Sequence, residues 1–391
     1  MPDLADVVVV GGGVLGVALA YELARHNERV VLLEAKTLAS GTTGSSFAWI
    51  NATAKFEVET YHRLNAEGVA RYRELAGEHG AEALGLHEGG ALLWVEGADA
   101  AGHERLRARA ARLQEWGYPV VMLDRAEMQA LEPGVVFGRE DGAEGLFAPA
   151  EGWLDTPRLA RFLVEAARRH KAEIRLDCAA TGFTRSRIPA GISTVETPQG
   201  RISTRLLVLA AGEQTPALVA LVTGDPADTR WAPVERSPGL LVETPPVPET
   251  CRIDRVLFPP DSGGLHVRPT SAGGLLLGAD DTDALVSPEA ESRHRFPVEA
   301  PRLLLERAAR ALPGLPAAPM EKDLLARVCI RPIPADGFPI VGALPGVEGV
   351  YVAVTHSGVT LGLLLADLLA QEIRSGTVPS LLEPYRPARF T

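Results

Sequence analysis

The stretch VVVVGGGVLGVALAYELA, residues 7–24, constrains this chain more than any other. Four consecutive valines read as a buried strand. Gly11, Gly13 and Gly16 then fall in a GxGxxG spacing at the start of an amphipathic helix expected over Val14 to His26. Bare backbone at such a turn lets a pyrophosphate approach the N–H groups of a helix N-terminus. A second strand, VVLLE, ends in Glu34, where a carboxylate can accept hydrogen bonds from ribose hydroxyls. The glycines alone are a weak signal, but in register with strand, helix and terminal acid they point to a dinucleotide. A turn serving only helix-on-sheet packing would leave Glu34 without a role.

Composition narrows the partners. The 391 residues are 46% hydrophobic and 23% charged, with a net charge of −11, and the basic residues are scattered, which excludes a nucleic-acid footprint. A small-molecule partner is expected. No apolar run reaches the ~18 residues of a spanning helix, because Asp367 interrupts LGLLLADLLA. Asp3 and Asp6 precede the first strand with no basic segment, so the beginning reads as core rather than signal peptide, and a cytoplasmic, membrane-free protein is expected. Cys178, Cys251 and Cys329 form no CxxC pattern, and no HExxH-like spacing occurs, so neither a disulfide framework nor a metal site is expected.

Further along, Phe56 to Arg112 reads as largely helical, a helix follows GWLDTPRL over Thr156 to His170, and AEIRL reads as a strand. Two strands flank Gly200, the second ending in LLVLAAG, and the Pro- and Gly-rich stretch from Pro233 to Asp283 reads as antiparallel strands. Strand, turn and helix return in VYVAVTHSGVTLGLLLADLLA. The expected fold is α/β, a discontinuous Rossmann-like domain with an inserted α+β substrate domain built on an antiparallel sheet. Residues 1–54, 142–222 and 324–391 are assigned to the nucleotide domain, and 55–141 and 223–323 to the substrate domain. Only one fingerprint is present, which disfavours a flavoprotein fed by NAD(P)H through a second module. The nucleotide is then NAD(P), or FAD reduced directly by substrate; the return of the chain to the same domain at LLVLAAG and VYVAV favours FAD, the longer ligand.

These segments resemble the superfamily of D-amino-acid oxidase, glycine oxidase and the sarcosine oxidases, with its glutathione-reductase-like FAD domain. The matching stretches are the fingerprint with VVLLE, GTTGSS, GWLDTPRLARFL, LLVLAAG, HVRPTSAGGLLLGA, IRPIPADGFPIVG and GVYVAVTHSGVTLG, in family order over nearly the whole chain. The resemblance implies noncovalent FAD held by Gly11, Gly13, Val14, Leu15 and Gly16, by Glu34 and Ala35, and by the turn Thr42, Thr43, Gly44, Ser45 and Ser46. Ala180, Ala211 and Gly212, and Ser357, Gly358, Val359 and Thr360, complete the implied cofactor contacts. It further implies hydride removal from the carbon beside an amine to flavin N5, hydrolysis of the resulting imine, and oxygen as electron acceptor, giving hydrogen peroxide.

Within that resemblance Arg331, an isolated cation in VCIRPIPADGFPIVG, matches the arginine that grips the substrate carboxylate; the plain alternative is a structural ion pair, Asp336 being the nearest acid in sequence. His266 stands three residues before Pro269, where glycine oxidase has a substrate-facing tyrosine, and could hydrogen-bond the carboxylate or take a proton from the ammonium. The alternative is an ordinary strand histidine. His356 lies in the turn that in this family passes the flavin pyrimidine edge, where a helix N-terminus stabilises negative charge; it could equally be a loop residue or cap. Cys329 lies at the spacing of the covalent flavin linkage of sarcosine oxidases, but Arg331 replaces the aromatic that accompanies it there, and SSFAWIN lacks the basic residues of that branch. Leu276 replaces the lysine that sarcosine oxidases hold over the flavin. Phe47, Trp49 and Trp231 could line an aromatic pocket, but lone aromatics are commonly core, and only Phe47 and Trp49, beside the SS turn, are kept as candidate flavin neighbours. Two other readings stay open: a dehydrogenase passing electrons to a quinone or partner protein, and a noncatalytic FAD-binding subunit. Substrate identity and oligomeric state are left open.

Overall fold

The computed structural model describes residues 3–138, 142–187, 190–225, 233–260, 262–289, 293–316 and 321–391, with side chains outside 185–193 and 288–295. Two large sheets organise them. The first is built on the strand Asp3–Val10, whose valines at 7–10 are between 0% and 6% exposed. Such a run tolerates no water on either face, and a parallel sheet covered by helices on both sides satisfies it. The strand pairs in parallel with Val30–Leu33 on one side and with Gly200–Leu209 on the other. Glu173–Arg175 extends the sheet beyond Val30–Leu33, and Val350–Val354 pairs in parallel with Gly200–Leu209. An antiparallel hairpin, Gly182–Arg187 with Ala190–Thr197, also joins at Gly200–Leu209.

The helix after the fingerprint runs Val14–Ala24 and is buried throughout, packed against the helices Thr156–Arg169 and Gly358–Ser375. It stops two residues before His26 because Asn27 takes φ 72°, a left-handed turn that sends the chain into Val30–Leu33.

The second sheet has eight strands in the order Leu325–Pro334, Val234–Glu243, Leu275–Gly278, His266–Pro269, Val256–Phe258, Ala91–Val95, Glu144–Ala148 and Val121–Asp124. All neighbours are antiparallel except Ala91–Val95 against Val256–Phe258. Two of these strands, Glu144–Ala148 and Leu325–Pro334, lie on the nucleotide side of the boundaries placed at 142 and 324, yet pair here. The stretch expected to be largely helical is two helices, Glu59–His79 and Ala100–Glu115, separated by a short helical turn and the strand Ala91–Val95. Gly89 and Gly90 account for the break. A Cβ on Gly89 would stand 2.1 Å from the Asp254 carbonyl oxygen, and Gly90 has φ +85°. The strand can therefore enter the sheet only with bare backbone at its start.

Candidate active site

The fingerprint forms a tight floor. Gly11 has φ +120°, and a Cβ there would lie 2.4 Å from the Ala210 carbonyl oxygen; one on Gly16 would lie 1.9 Å from the Gly11 carbonyl oxygen. These two glycines let strand, helix and the turn after Gly200–Leu209 touch. Gly13 is different: it is the N-cap of its helix without a side-chain cap, and a Cβ there would meet only Thr43 Oγ1, at 3.1 Å. Thr43 Oγ1 accepts the Val14 N–H at 3.0 Å, leaving other first-turn donors of Leu15 and Gly16 without a capping side chain. Glu34 stands just past its strand, with Oε2 accepting the Gly12 N–H at 2.7 Å and Oε1 the Lys36 N–H at 2.8 Å. A carboxylate has about four acceptor sites, so capacity for a ribose hydroxyl remains. Ala35 beside it is exposed, Ala180 is half-buried, and a Cβ on Gly212, which has φ +56°, would meet nothing within 4 Å.

The turn from Thr42 to Ser46 is tied down on every side. Thr42 Oγ1 donates to the Ile330 carbonyl, Thr156 Oγ1 donates to the Thr43 carbonyl at 2.6 Å, and the Gly44 N–H donates to the Ala39 carbonyl at 2.9 Å. The Ser45 N–H reaches the Thr42 carbonyl at 3.2 Å, and Ser46 Oγ accepts the Ala48 N–H at 2.8 Å. Ala39 and Ala48 hold φ 57° and 59°, left-handed values that cost an alanine free energy and persist only where the surroundings fix them.

Beyond this turn the two sheets bring Arg331, His266 and His356 to one region. Arg331 Nη2 lies 2.9 Å from Asp283 Oδ2 and donates to the Pro238 carbonyl at 2.9 Å and to Ser237 Oγ at 3.3 Å. Asp283, not Asp336, is thus the internal partner; Asp336 pairs with Arg389 at 2.7 Å. The guanidinium is 29% exposed, Nε is buried without a partner, and Nη1 has none among the described residues. Nη2 is anchored by three acceptors, and Nη1 keeps its donors unused among the described residues. Gly239 makes room for the fork, since a Cβ there would stand 3.3 Å from Arg331 Cζ.

His266 Nδ1 donates to the Gly264 carbonyl at 3.0 Å, which leaves the Nε2 lone pair free in the neutral ring. Burial and the nearby Arg331 charge lower its pKa, against an opposing pull from Asp280. The ring lies over Gly278 and meets Phe47 edge-on at 4.4 Å, while Phe258 sits 4.5 Å from Trp49. Phe47 is held by Arg268, a buried guanidinium 4.4 Å over the Trp153 ring that donates to the carbonyls of Phe47 and Pro269. Phe47 and, through Phe258, Trp49 pack beside His266; Trp231 lies outside the described residues. The Cys329 thiol is buried, and burial pushes its pKa up to about 11, which disfavours the thiolate that a flavin linkage requires.

His356 opens the turn before the last helix. Solvent reaches its ring although protein surrounds it, as at the wall of a cleft, and burial with the charges of Lys55 and Arg331 lowers its pKa to about 4. Ser357 is the N-cap of Gly358–Ser375 without a side-chain cap, so the first-turn N–H groups keep their positive end open, and a Cβ on Gly358 would meet nothing nearer than 3.9 Å. Thr360 Oγ1 accepts the Asn51 N–H at 3.2 Å, and the Val359 carbonyl accepts Tyr72 OH at 2.5 Å, pinning this turn to the segment after Ser46 and to the helix Glu59–His79. Two uncapped helix N-termini, one beside Glu34 and one beside His356, with bare glycine backbone at each, fit a ligand carrying a pyrophosphate at one end and an anionic ring at the other. Among the described residues no three His, Cys, Asp or Glu side chains converge as a metal site needs.

Fold and site together define a flavin-dependent oxidoreductase. The chain belongs to the FAD dependent oxidoreductase family (DAO), whose family model matches residues 6–372. Glycine oxidase of Geobacillus kaustophilus (strain HTA426) is 27% identical over 384 residues, covering 94% of this chain and 93% of the relative. The crystal structure of glycine oxidase from Geobacillus kaustophilus matches with a TM-score of 0.80 at 24% identity, covering 99% of both chains. L-proline dehydrogenase from P. horikoshii matches at 0.82 with 20% identity, covering 100% of this chain and 98% of that one. Mitochondrial dimethylglycine dehydrogenase of Mus musculus is 25% identical over 397 residues, 93% of this chain but 42% of its own length. FAD is the cofactor.

Four residues of the region escape a sequence reading built on motifs: Asp283, Tyr61, Glu151 and Lys55. Lys55 had a signal, since residues 37–54 contain no charged residue or histidine and it ends that run. The pairing of Gly239 and Gly278 with larger partners across the sheet was a second, legible only with the register known.

Proposed function

We propose that this protein oxidises the C–N bond of an amino or imino acid, with Arg331 holding the substrate carboxylate, and that it passes the electrons to oxygen. The observation that carries this reading is the half-anchored fork of Arg331 beside the neutral base His266. Asp283 and the Pro238 carbonyl orient Nη2, and the unused donors of Nη1 can bind a carboxylate oxygen. His266 Nε2 can accept a proton from the substrate ammonium, leaving the nitrogen neutral, which loss of hydride from the neighbouring carbon requires. FAD, when bound, supplies the acceptor for that hydride. Phe47, Trp49 and Phe258 form an aromatic wall beside His266 that would limit access of water there. The glycine oxidase relative supports an amino acid substrate. No helix among the described residues is long and apolar enough to cross a membrane, which is compatible with a cytoplasmic enzyme.

The test is anaerobic mixing of the holoprotein with D-, L-, N-methyl and cyclic amino acids, followed by admission of air. Bleaching of the flavin absorbance with fast recovery is expected. Bleaching with slow recovery would replace oxygen by a quinone or protein acceptor, and no bleaching by any amine would overturn the reading in favour of a noncatalytic subunit.

A further inference from the structure

Lys55 is a half-buried ammonium with no carboxylate within 4.0 Å among the described residues, and its nearest charge-stabilising contact is the Tyr61 ring, 5.6 Å from Nζ to the centroid. Burial alone lowers its pKa, with no acid opposing. The buried arginines are treated otherwise. Arg331 has Asp283, Arg109 donates twice to the Thr53 carbonyl, and Arg268 is satisfied by two carbonyls.

The loop presenting Lys55 is held with unusual care. Glu151, 1% exposed, accepts the N–H groups of Ala52 at 2.9 Å and Thr53 at 2.7 Å, together with the hydroxyls of Thr53 and Tyr118. The Ala52 carbonyl takes the Lys55 N–H at 2.9 Å and meets His62 Nδ1 at 3.1 Å, while Arg109 covers the Phe56 ring at 4.6 Å. A buried carboxylate and a largely buried guanidinium thus fix the backbone at Ala52 and Thr53, just before one unpaired lysine, and the same guanidinium covers the Phe56 ring just after it. Such fixing is costly for a side chain that merely points into water, and it suits one that must wait at a set position for an anion.

Lys55 lies over Tyr61, whose hydroxyl reaches the turn that carries His356. Tyr61, beneath it, bonds Ser357 Oγ at 2.9 Å and packs edge-on against Phe338 at 5.1 Å, and the adjacent His356 feels the charges of both Lys55 and Arg331. Two cations from different segments therefore face one histidine, and only Arg331 has an internal counter-ion.

We propose that Lys55 binds a second anionic group of the substrate, so that this enzyme acts on amino or imino acids carrying two carboxylates or an equivalent second anion. The inference rests on the reading of Arg331 as the holder of the first carboxylate. It names the substrate class, with Arg331 and Lys55 gripping opposite ends.

The experiment uses the holoenzyme and matched pairs differing in one charge: aspartate with asparagine, glutamate with glutamine, and N-(carboxymethyl)glycine with N-methylglycine. Flavin reduction is followed anaerobically. Binding of the unreactive thioethers thiodiacetate and (methylthio)acetate is followed by perturbation of the flavin spectrum. The expected result is a preference of at least tenfold for the dianion in one pair and in the thioethers. Lys55→Met lowers the dianion parameters at least tenfold more than those of its partner, and Lys55→Arg restores the preference. Equal preference within every pair, or an equal loss on both members in Lys55→Met, would overturn the proposal and assign Lys55 to the flavin or to oxygen. The thioether arm needs no turnover. Dianion-selective binding without bleaching by any amine would therefore sink the oxidation reading and leave the Lys55 site standing, whereas bleaching without charge preference would do the reverse.

Discussion

Arg331 and Asp283 form an ion pair at 2.9 Å through Nη2 that leaves Nη1 without a partner among the described residues. The pair is an orienting device: Asp283 Oδ1 also accepts the Leu240 N–H at 2.7 Å, so the carboxylate is itself fixed to the neighbouring strand. Arg331→Ala removes the charge-assisted contact to the substrate, worth ~2–4 kcal/mol, and should raise KM by ~30- to 1,000-fold while FAD remains bound. Asp283→Asn leaves the arginine in place but loosens it, and a smaller rise in KM, ~10-fold or less, is expected. Steady-state kinetics with a flavin titration separate the two. An unchanged KM in Arg331→Ala would remove the carboxylate role.

The glycines of the fingerprint differ in what they tolerate. Gly16→Ala would place a methyl 1.9 Å from the Gly11 carbonyl oxygen, and no soluble holoprotein is expected. Gly13→Ala meets only the Thr43 hydroxyl, at 3.1 Å; it should fold, with a weaker Kd for FAD because the methyl stands where the pyrophosphate approaches. Gly41→Ala, with nothing within 4 Å, is the silent control. Circular dichroism and FAD titration of the three variants give the comparison.

Because the Cys329 thiol is pushed up to about 11 by burial, acid precipitation should leave the flavin in the supernatant, and Cys329→Ser should retain FAD at wild-type stoichiometry. Flavin fluorescence on the denatured protein band would show the opposite.

His356 contributes to the pH dependence. Its folded pKa, about 4, lies below the ordinary 6.5, so between these values the unfolded chain binds a proton that the folded chain does not. Stability contributed by the neutral ring is complete above pH 6.5 and is lost as pH falls toward 4, damped because solvent reaches the ring. His356→Gln should show a shallower fall in Tm between pH 7 and 5 than the parent. Parallel falls would mean that the ring titrates normally.

What could be read from sequence was local. The valine run, the glycine spacing and Glu34 lie within one βαβ unit, where periodicity and turn chemistry are sufficient. Asp283 was not readable as the partner of Arg331, because their contact depends on both flanking strands pairing with Val234–Glu243. The nearest acid in sequence, Asp336, is turned away to Arg389. Helical periodicity across Phe56 to Arg112 hid the strand Ala91–Val95, whose position is set by Gly89 and Gly90 approaching another chain segment. Lys55 was visible as a charge but not as an unpaired one, since that depends on what the fold brings near it.

The parallel sheet joins the fingerprint strand Asp3–Val10 to Gly200–Leu209, which in turn pairs with Val350–Val354. On the ribosome the order of synthesis and the order of assembly are therefore opposed. The valines of the nucleotide floor emerge early, but their inner neighbour arrives after three of the eight strands of the second sheet, and the strand leading to His356 arrives after all eight. Such long-range pairing is slow and leaves apolar strand edges uncovered in the meantime. A cofactor spanning the helix N-termini at Gly13 and Ser357 would lock the domain only once translation has passed the last strand.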